Sequence, residues 1–267
     1  MNISISNCYS QLNTGLMVFP TEIKITTENE KKYNFDKLLA CNQYNFLLNT
    51  LFDYGLVIRF LEQKNSPHQI FTRDIGFIIE NIMFISKMSQ LSRQQETQSL
   101  IKFAAQYNLR TYQMENYAEG GDVFVQDNNI IIGIGERTTE DAANEIKSVL
   151  SATNSSYNII KAYFDLSLIH LDCAFNILDN NSCIISDGLF NPEEITPLFS
   201  TIIKAPLDTN TLGANIINLG NKRILCSCQN LATTLNNSEF CCKYIDYSEV
   251  TKVGGGLGCS LLPIQRA

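Results

Sequence analysis

Short apolar runs that meet a tight polar turn and return at once recur four times along the chain. Ile70 to Ile79 meets Glu80-Asn81 and returns as Ile82 to Ile85, and Asp122 to Val125 turns at Gln126 to Asn129 and returns as Ile130 to Gly133. Cys173 to Leu178 turns at Asp179 to Ser182 and returns as Cys183 to Ile185, while Ala214 to Leu219 turns at Gly220 to Lys222 and returns as Arg223 to Cys226. Asn, Asp and Gly supply the backbone conformations of tight hairpins, and the β-branched residues around them favour strands. The turns fall near residues 80, 128, 180 and 221, so the unit repeats about every 40 to 50 residues.

Helical spacing fills the intervals. Leu38, Leu39, Tyr44, Leu47, Leu48, Leu51 and Phe52 place a helix between Phe35 and Phe52. Further helices are predicted over Arg93 to Tyr107, over Thr139 to Leu150, where Ala142, Ala143, Ile146, Val149 and Leu150 are apolar, over Pro192 to Ile203, and in a shorter stretch from Asn230. Val18-Phe19-Pro20 reads as the end of a short strand. Each unit is therefore a hairpin plus a crossover helix, and the N- and C-terminal strands can combine into a fifth. Because no such unit buries both of its faces alone, the units are expected to close around an axis as an α/β propeller. No linker or charge run interrupts the pattern, which predicts a single domain over residues 1–267.

Composition narrows the partners. Hydrophobic residues make up 45% of the chain, enough for a full core, while charged residues are 18% and the net charge is -7. A groove for nucleic acid needs a basic surface, so a small cationic substrate is the better match. The start of the chain has neither a basic n-region nor an apolar h-region, and no run approaches the roughly 18 apolar residues of a spanning helix. A soluble, cytoplasmic protein with no membrane contact is expected. The nine cysteines include no Cys-x-x-Cys pair, and the two histidines, His68 and His170, lie far apart in sequence. No zinc framework follows; Cys226, Cys228, Cys241 and Cys242 read as reduced strand thiols.

Polar residues punctuate the starts of the repeated strands. Asp74 sits among Phe71, Ile75 and Phe77; Glu119-Gly120-Gly121-Asp122 opens the second hairpin; His170-Leu171-Asp172 opens the third. Near the C-terminus, Gly254, Gly255, Gly256 and Gly258 crowd Cys259, which would let the backbone take positive φ and a substrate approach the sulfur. Taken singly, these are a turn-forming Asp, a surface Glu, a strand-end His and a small core Cys. Together they put a thiol, an imidazole and several carboxylates at equivalent ends of related units.

Phe71-Thr72-Arg73-Asp74, Glu119-Gly120-Gly121-Asp122, His170-Leu171-Asp172 and Gly254-Gly255-Gly256-Leu257-Gly258-Cys259-Ser260 resemble, in this order, the signature of the guanidino-group modifying enzymes. That superfamily includes arginine deiminases, dimethylarginine dimethylaminohydrolases, agmatine deiminases and amidinotransferases, and the resemblance runs from about residue 68 to the C-terminus. It implies a five-bladed α/β propeller, the pentein fold. It also implies that Cys259 is the nucleophile, His170 the general acid and base, and Glu119 the carboxylate that pairs with the substrate guanidinium and orders the site. Asp74 resembles the other guanidinium anchor, Phe71 in the same motif falls among the substrate-binding positions, and Asp172 resembles the second carboxylate of members that take an unmethylated guanidinium. Arg93 and Arg137 resemble arginines that clasp an α-carboxylate. His68 stands where relatives carry Asn or Asp, which bears on specificity, and the compact N-terminal half resembles the dimethylarginine hydrolases more than bacterial arginine deiminases.

The implied activity is a hydrolase acting on L-arginine or a close derivative through a covalent thiouronium, releasing ammonia or an alkylamine, with no metal or organic cofactor. Paired carboxylates suit a planar cation because they hold it by charge-assisted bonds and fix its carbon against sulfur. Amidino transfer to an amine and non-catalytic arginine binding are the alternatives. A homodimer is compatible with either enzyme.

Overall fold

All four hairpins form, and each gains a third strand that the repeat did not announce. The computed structural model describes residues 1–25, 34–153, 155–206 and 212–267. After β1 (Leu12–Met17) come α1 (Lys37–Asp53) and β2 (Val57–Phe60), then the hairpin β3 (Gly76–Ile79) and β4 (Ile82–Ile85), α2 (Thr97–Gln106) and β5 (Thr111–Gln113). The second unit runs β6 (Val123–Gln126), β7 (Asn129–Ile134), α3 (Glu140–Ser151) and β8 (Asn158–Tyr163). The third is β9 (Phe175–Ile177), β10 (Ser182–Ile185) and β11 (Thr201–Lys204). The chain closes with β12 (Ile216–Gly220), β13 (Arg223–Cys226), α4 (Gln229–Asn236), β14 (Cys241–Tyr244), the short α5 (Ser248–Thr251) and β15 (Leu262–Arg266).

These strands make five three-stranded sheets in a mixed α/β fold. In four of them an antiparallel hairpin is followed by a parallel third strand, as in β6-β7-β8, where Ile131 faces both Phe124 and Ile160. The fifth joins the termini: β15 pairs antiparallel and β2 parallel with β1. The third strands escaped the sequence pattern because only one of their edges is paired and their residues are half exposed, as along β5 and β11. Hairpin strands β3, β4, β6, β9, β10 and β12 are buried at every position, which is why they read as continuous apolar runs.

The helix expected over Pro192 to Ile203 does not form. Two 3₁₀ turns, Pro192–Glu194 and Thr196–Leu198, occupy its first part, and Thr201–Lys204 becomes β11 beside β10. Pro197 has no amide hydrogen to donate and would clash with the preceding turn of a helix, and the β-branched Thr201-Ile202-Ile203 prefers the sheet. The other helices lie near their expected limits. Asp36 caps α1 by accepting the Leu39 amide, and Thr139 caps α3 by accepting that of Ala142. The stretch from Arg93 is 3₁₀ to Glu96 and α-helical only from Thr97. Among the described residues no helix is long and apolar enough to cross a membrane.

Strand order has one consequence for chemistry. Asp74 precedes β3 by two residues, Glu119 to Asp122 lead into β6, His170 to Cys173 lead into β9, Asn215 immediately precedes β12, and Cys259 lies three residues before β15. The chemistry-bearing residues therefore enter corresponding strands at corresponding ends.

α3 covers the second sheet with Ala142, Ala143, Ile146 and Leu150, each no more than 1% exposed. Truncation of Ile146 to alanine leaves a cavity beneath α3 and is expected to destabilise the fold by about 2–5 kcal/mol. The exposed Lys147→Ala, by comparison, should change stability by less than about 0.5 kcal/mol. Urea denaturation checks both.

Candidate functional site

A cavity of about 560 Å³ opens at the strand entries, and its wall includes His68, Phe71, Asp74, Arg93, Arg137, His170, Cys173 and Cys259. Seven of the nine site residues expected from sequence are thus brought to one chamber. The other two stand next to it: Glu119 contacts His170, and Asp172 contacts the sulfur of Cys259.

The first motif holds the segment that carries Cys259. Thr72 Oγ1 donates to the carbonyls of Leu16 and Ser260, and the Arg73 amide donates to the Cys259 carbonyl at 2.9 Å. Tyr247 reinforces this by donating its hydroxyl to Ser260 Oγ at 2.7 Å. Asp74, next in the chain, is left facing the chamber. Its Oδ2 accepts from Arg93 Nη1 at 2.7 Å, while Oδ1 has no hydrogen-bond partner among the described residues and lies 3.7 Å from His170 Nδ1.

The second and third motifs fit together as a charge pair. His170 Nε2 meets Glu119 Oε2 at 2.9 Å, and the other oxygen of Glu119 accepts from the amide and hydroxyl of Ser89. Gly121 has to be glycine because a Cβ there would lie 2.9 Å from His170 Cγ. Asp122 braces the other side: its Oδ1 accepts the Leu171 amide and its Oδ2 the Thr138 hydroxyl, whose oxygen in turn accepts the Glu119 amide.

Burial works against charge on His170, but the carboxylates of Asp74, Asp122 and Glu119 outweigh it and hold the imidazolium well above 6.5. Burial alone would raise Glu119; its bond to His170 and the nearby charges of His170, Arg93 and Arg137 bring it below the ordinary range. Burial pushes Asp122 up to about 7 and raises Asp172 as well. His68 is the opposite case, since burial and the Arg93 charge press it down to about 4 and leave it neutral at pH 7. The two histidines thus hold different charges at neutral pH.

Asp74, Glu119 and His170 each offer one ligand atom within 4.8 Å of the others. An imidazolium has no free lone pair for a metal, so the same carboxylates that keep His170 charged oppose such a use.

The two arginines differ. Arg93 is buried and committed: Nε and Nη2 bond Glu96, Nη1 bonds Asp74, and Nη2 also donates to the carbonyls of His68 and Phe71. Arg137 keeps Nη1 without a hydrogen-bond partner among the described residues, 3.6 Å from Glu119 Oε1.

Around Cys259 the glycines do something other than expected. Only Gly254, at φ 112, takes a positive φ; the others are excluded from side chains by proximity, as at Gly256, where a Cβ would lie 2.4 Å from Asn215 Oδ1. Asn215 Nδ2 and the Gly256 amide each donate to the Cys259 sulfur at 3.3 Å. Cys173 is a second thiol here. It donates to Asp172 Oδ1 at 3.3 Å, and the neighbouring Cys259, burial and the Asp172 charge hold it protonated, well above the ordinary thiol range. Sequence reading missed Asn215, Cys173, Ser89, Glu96 and Thr138. Asn215 was within reach, because it opens the fourth hairpin as Asp122 and Asp172 open the second and third.

A family model described as arginine deiminase matches residues 59–211. The uncharacterised protein YkgA of Bacillus subtilis is 30% identical over 272 residues, covering 97% of this chain and 93% of that protein. The N(G),N(G)-dimethylarginine dimethylaminohydrolase of Mycobacterium tuberculosis is 25% identical over 236 residues, covering 86% and 77%. Among solved structures, SxtG, an amidinotransferase from the saxitoxin biosynthetic pathway of Microseira wollei, superposes with a TM-score of 0.83 at 13% identity, covering 99% of this chain and 97% of that one. With its motifs, its five sheets and these matches in agreement, the chain belongs to the arginine deiminase family, within the superfamily of guanidino-group modifying enzymes.

Proposed function

We propose that this protein is a cysteine-dependent hydrolase that converts L-arginine or a close derivative into a ureido product, citrulline, with release of ammonia or an alkylamine. The observation that carries the reading is a chamber that joins Cys259, His170 and Asp74 and leaves two buried polar atoms without a hydrogen-bond partner among the described residues, Asp74 Oδ1 and Arg137 Nη1. One is an acceptor and the other a donor. A molecule with a guanidinium at one end and a carboxylate at the other satisfies both, whereas an unfilled buried polar atom is costly. In this reading the five sheets surround the chamber as a five-bladed α/β propeller, a single catalytic unit.

The substrate guanidinium lies between Asp74 and Asp172 with its central carbon against sulfur. The Cys259 thiolate attacks that carbon, forming a C–S bond. As the tetrahedral adduct collapses, the C–N bond breaks and His170 gives its proton to the departing amine. A thiouronium remains on Cys259. His170, now neutral, takes a proton from water, whose oxygen attacks the same carbon; the C–S bond breaks and the thiolate returns. Glu119, expected to pair with the guanidinium, has its oxygens engaged by His170 and Ser89 and holds the imidazolium in place. Arg93, expected to clasp an α-carboxylate, is committed to Glu96 and fixes Asp74. Phe71 and His68 wall the chamber, and the neutral His68 ring adds no charge near the bound cation. No step calls on a metal or an organic cofactor.

Amidino transfer differs only in replacing water by an amine, and the fold shared with SxtG keeps it as the second reading. Purified protein incubated with L-arginine, methylated arginines and agmatine distinguishes the two: ureido product without added amine is the expected result, and a new guanidino compound appearing only with added amine would favour transfer. Cys259→Ala should abolish either product, and product from this variant would contradict the proposal. Arg137→Gln should raise KM for L-arginine about tenfold or more while leaving agmatine, which lacks the carboxylate, nearly unaffected.

General acid work at neutral pH requires a charged His170. Ring-proton NMR of the two histidines should show one titrating near pH 4, His68, and one well above 6.5, His170, with His170→Ala removing the second. Two titrations both near 6.5 would contradict the charge assignment. The linked stability has opposite signs: the His170 contribution is complete below pH 6.5 and is lost as pH rises through its folded value, whereas His68 costs stability as pH falls from 6.5 toward 4.

A further inference from the structure

We infer that Asn215 is a positioning residue of the reaction, holding the Cys259 sulfur in its thiolate form by a directed N–H. The inference rests on the reading of Cys259 as nucleophile and assigns a role to a residue outside the four motifs. Asn215 is fully buried at the entry to β12. Its Oδ1 accepts the Gly258 amide at 2.6 Å. A backbone amide can only donate, so this bond fixes which end of the side chain is oxygen. The NH₂ end must then face the other way, toward Cys259 Sγ at 3.3 Å, with Cys173 Sγ at 3.8 Å.

The surroundings explain why such a donor is needed. Asp172 Oδ2 lies 3.7 Å from the same sulfur, and a carboxylate there works against negative charge on it whenever Asp172 is ionised. Two donors oppose this, Asn215 Nδ2 and the Gly256 amide, and each can only give a hydrogen bond to sulfur. The two are built as a unit: the space beside Gly256 is filled by Asn215, so that a side chain at 256 and the amide at 215 exclude each other. A sulfur held by two N–H groups is also fixed in direction, which matters for attack on one carbon.

The test is the pH dependence of Cys259 alkylation by iodoacetamide, followed by peptide mapping, in wild type, Asn215→Ala and Asn215→Asp without substrate. Aspartate keeps an acceptor for the Gly258 amide and so preserves the loop, but turns an oxygen toward sulfur. The expected result is an upward shift of the Cys259 midpoint by about one pH unit or more in both variants, hence alkylation about tenfold slower below the midpoint. Exposed Cys241 should alkylate at an unchanged rate, and thermal melts report folding. If Asn215→Ala does not fold, Asn215→Asp alone decides. An unchanged Cys259 midpoint in a folded variant overturns the role of Asn215 while leaving the nucleophile intact. Product formed by Cys259→Ala would instead overturn the underlying reading, so the two failures are separable.

Discussion

The ion pair between His170 and Glu119 is the interaction on which the rest of the site depends. Two residues from different units, neither more than 2% exposed, meet at 2.9 Å, and a buried charge survives only with a close partner and further hydrogen bonds. Both conditions are met on each side. Ser89 and Thr138 hold Glu119, and Asp74 and Asp122 lie near the imidazole. Hydrophobic residues of the same volume would be at least as stable in such a position, so stability alone does not account for the arrangement. The proposed use of the imidazolium as the acid for Cys259, which lines the same chamber, would account for it.

The charge balance of the chamber points the same way. Asp74, Glu96, Glu119, Asp122 and Asp172 are all buried around it, against Arg93, His170 and the partly exposed Arg137. Arg93 is shared between Asp74 and Glu96, and His170 is shared among three carboxylates. The raised values of Asp122 and Asp172 are what burial produces when there are too few cations to go round. A cationic ligand relieves that shortage, and a neutral one does not.

The hairpins were legible because six of their eight strands are buried at every position, the other two along most of their length, and their turns carry Asn, Asp and Gly. The four motifs were legible because each sets a polar residue against an apolar strand where a core has no use for one. The outer strands were not, since a three-residue strand such as Thr111–Gln113, half exposed and paired on one edge, has no period to read. The segment after Pro192 misled because its apolar spacing suits a helix, although Pro197 forbids one. The glycines before Cys259 were read as freeing the backbone and letting a substrate near the sulfur, but only Gly254 takes a positive φ, and the space beside the other three is filled by Phe71, Asn215 and the Ile216 carbonyl. That distinction depends on which residues meet in space, and a single chain of letters does not record it.

The most direct measurement is to quench turnover in acid with a guanidine substrate labelled at its central carbon, and to map where label remains on the protein. Label bound covalently to the peptide containing Cys259, in an amount that falls as His170-assisted hydrolysis proceeds, is the expected result. Rapid formation of product with no protein-bound label, or label carried by a peptide other than that of Cys259, would contradict it.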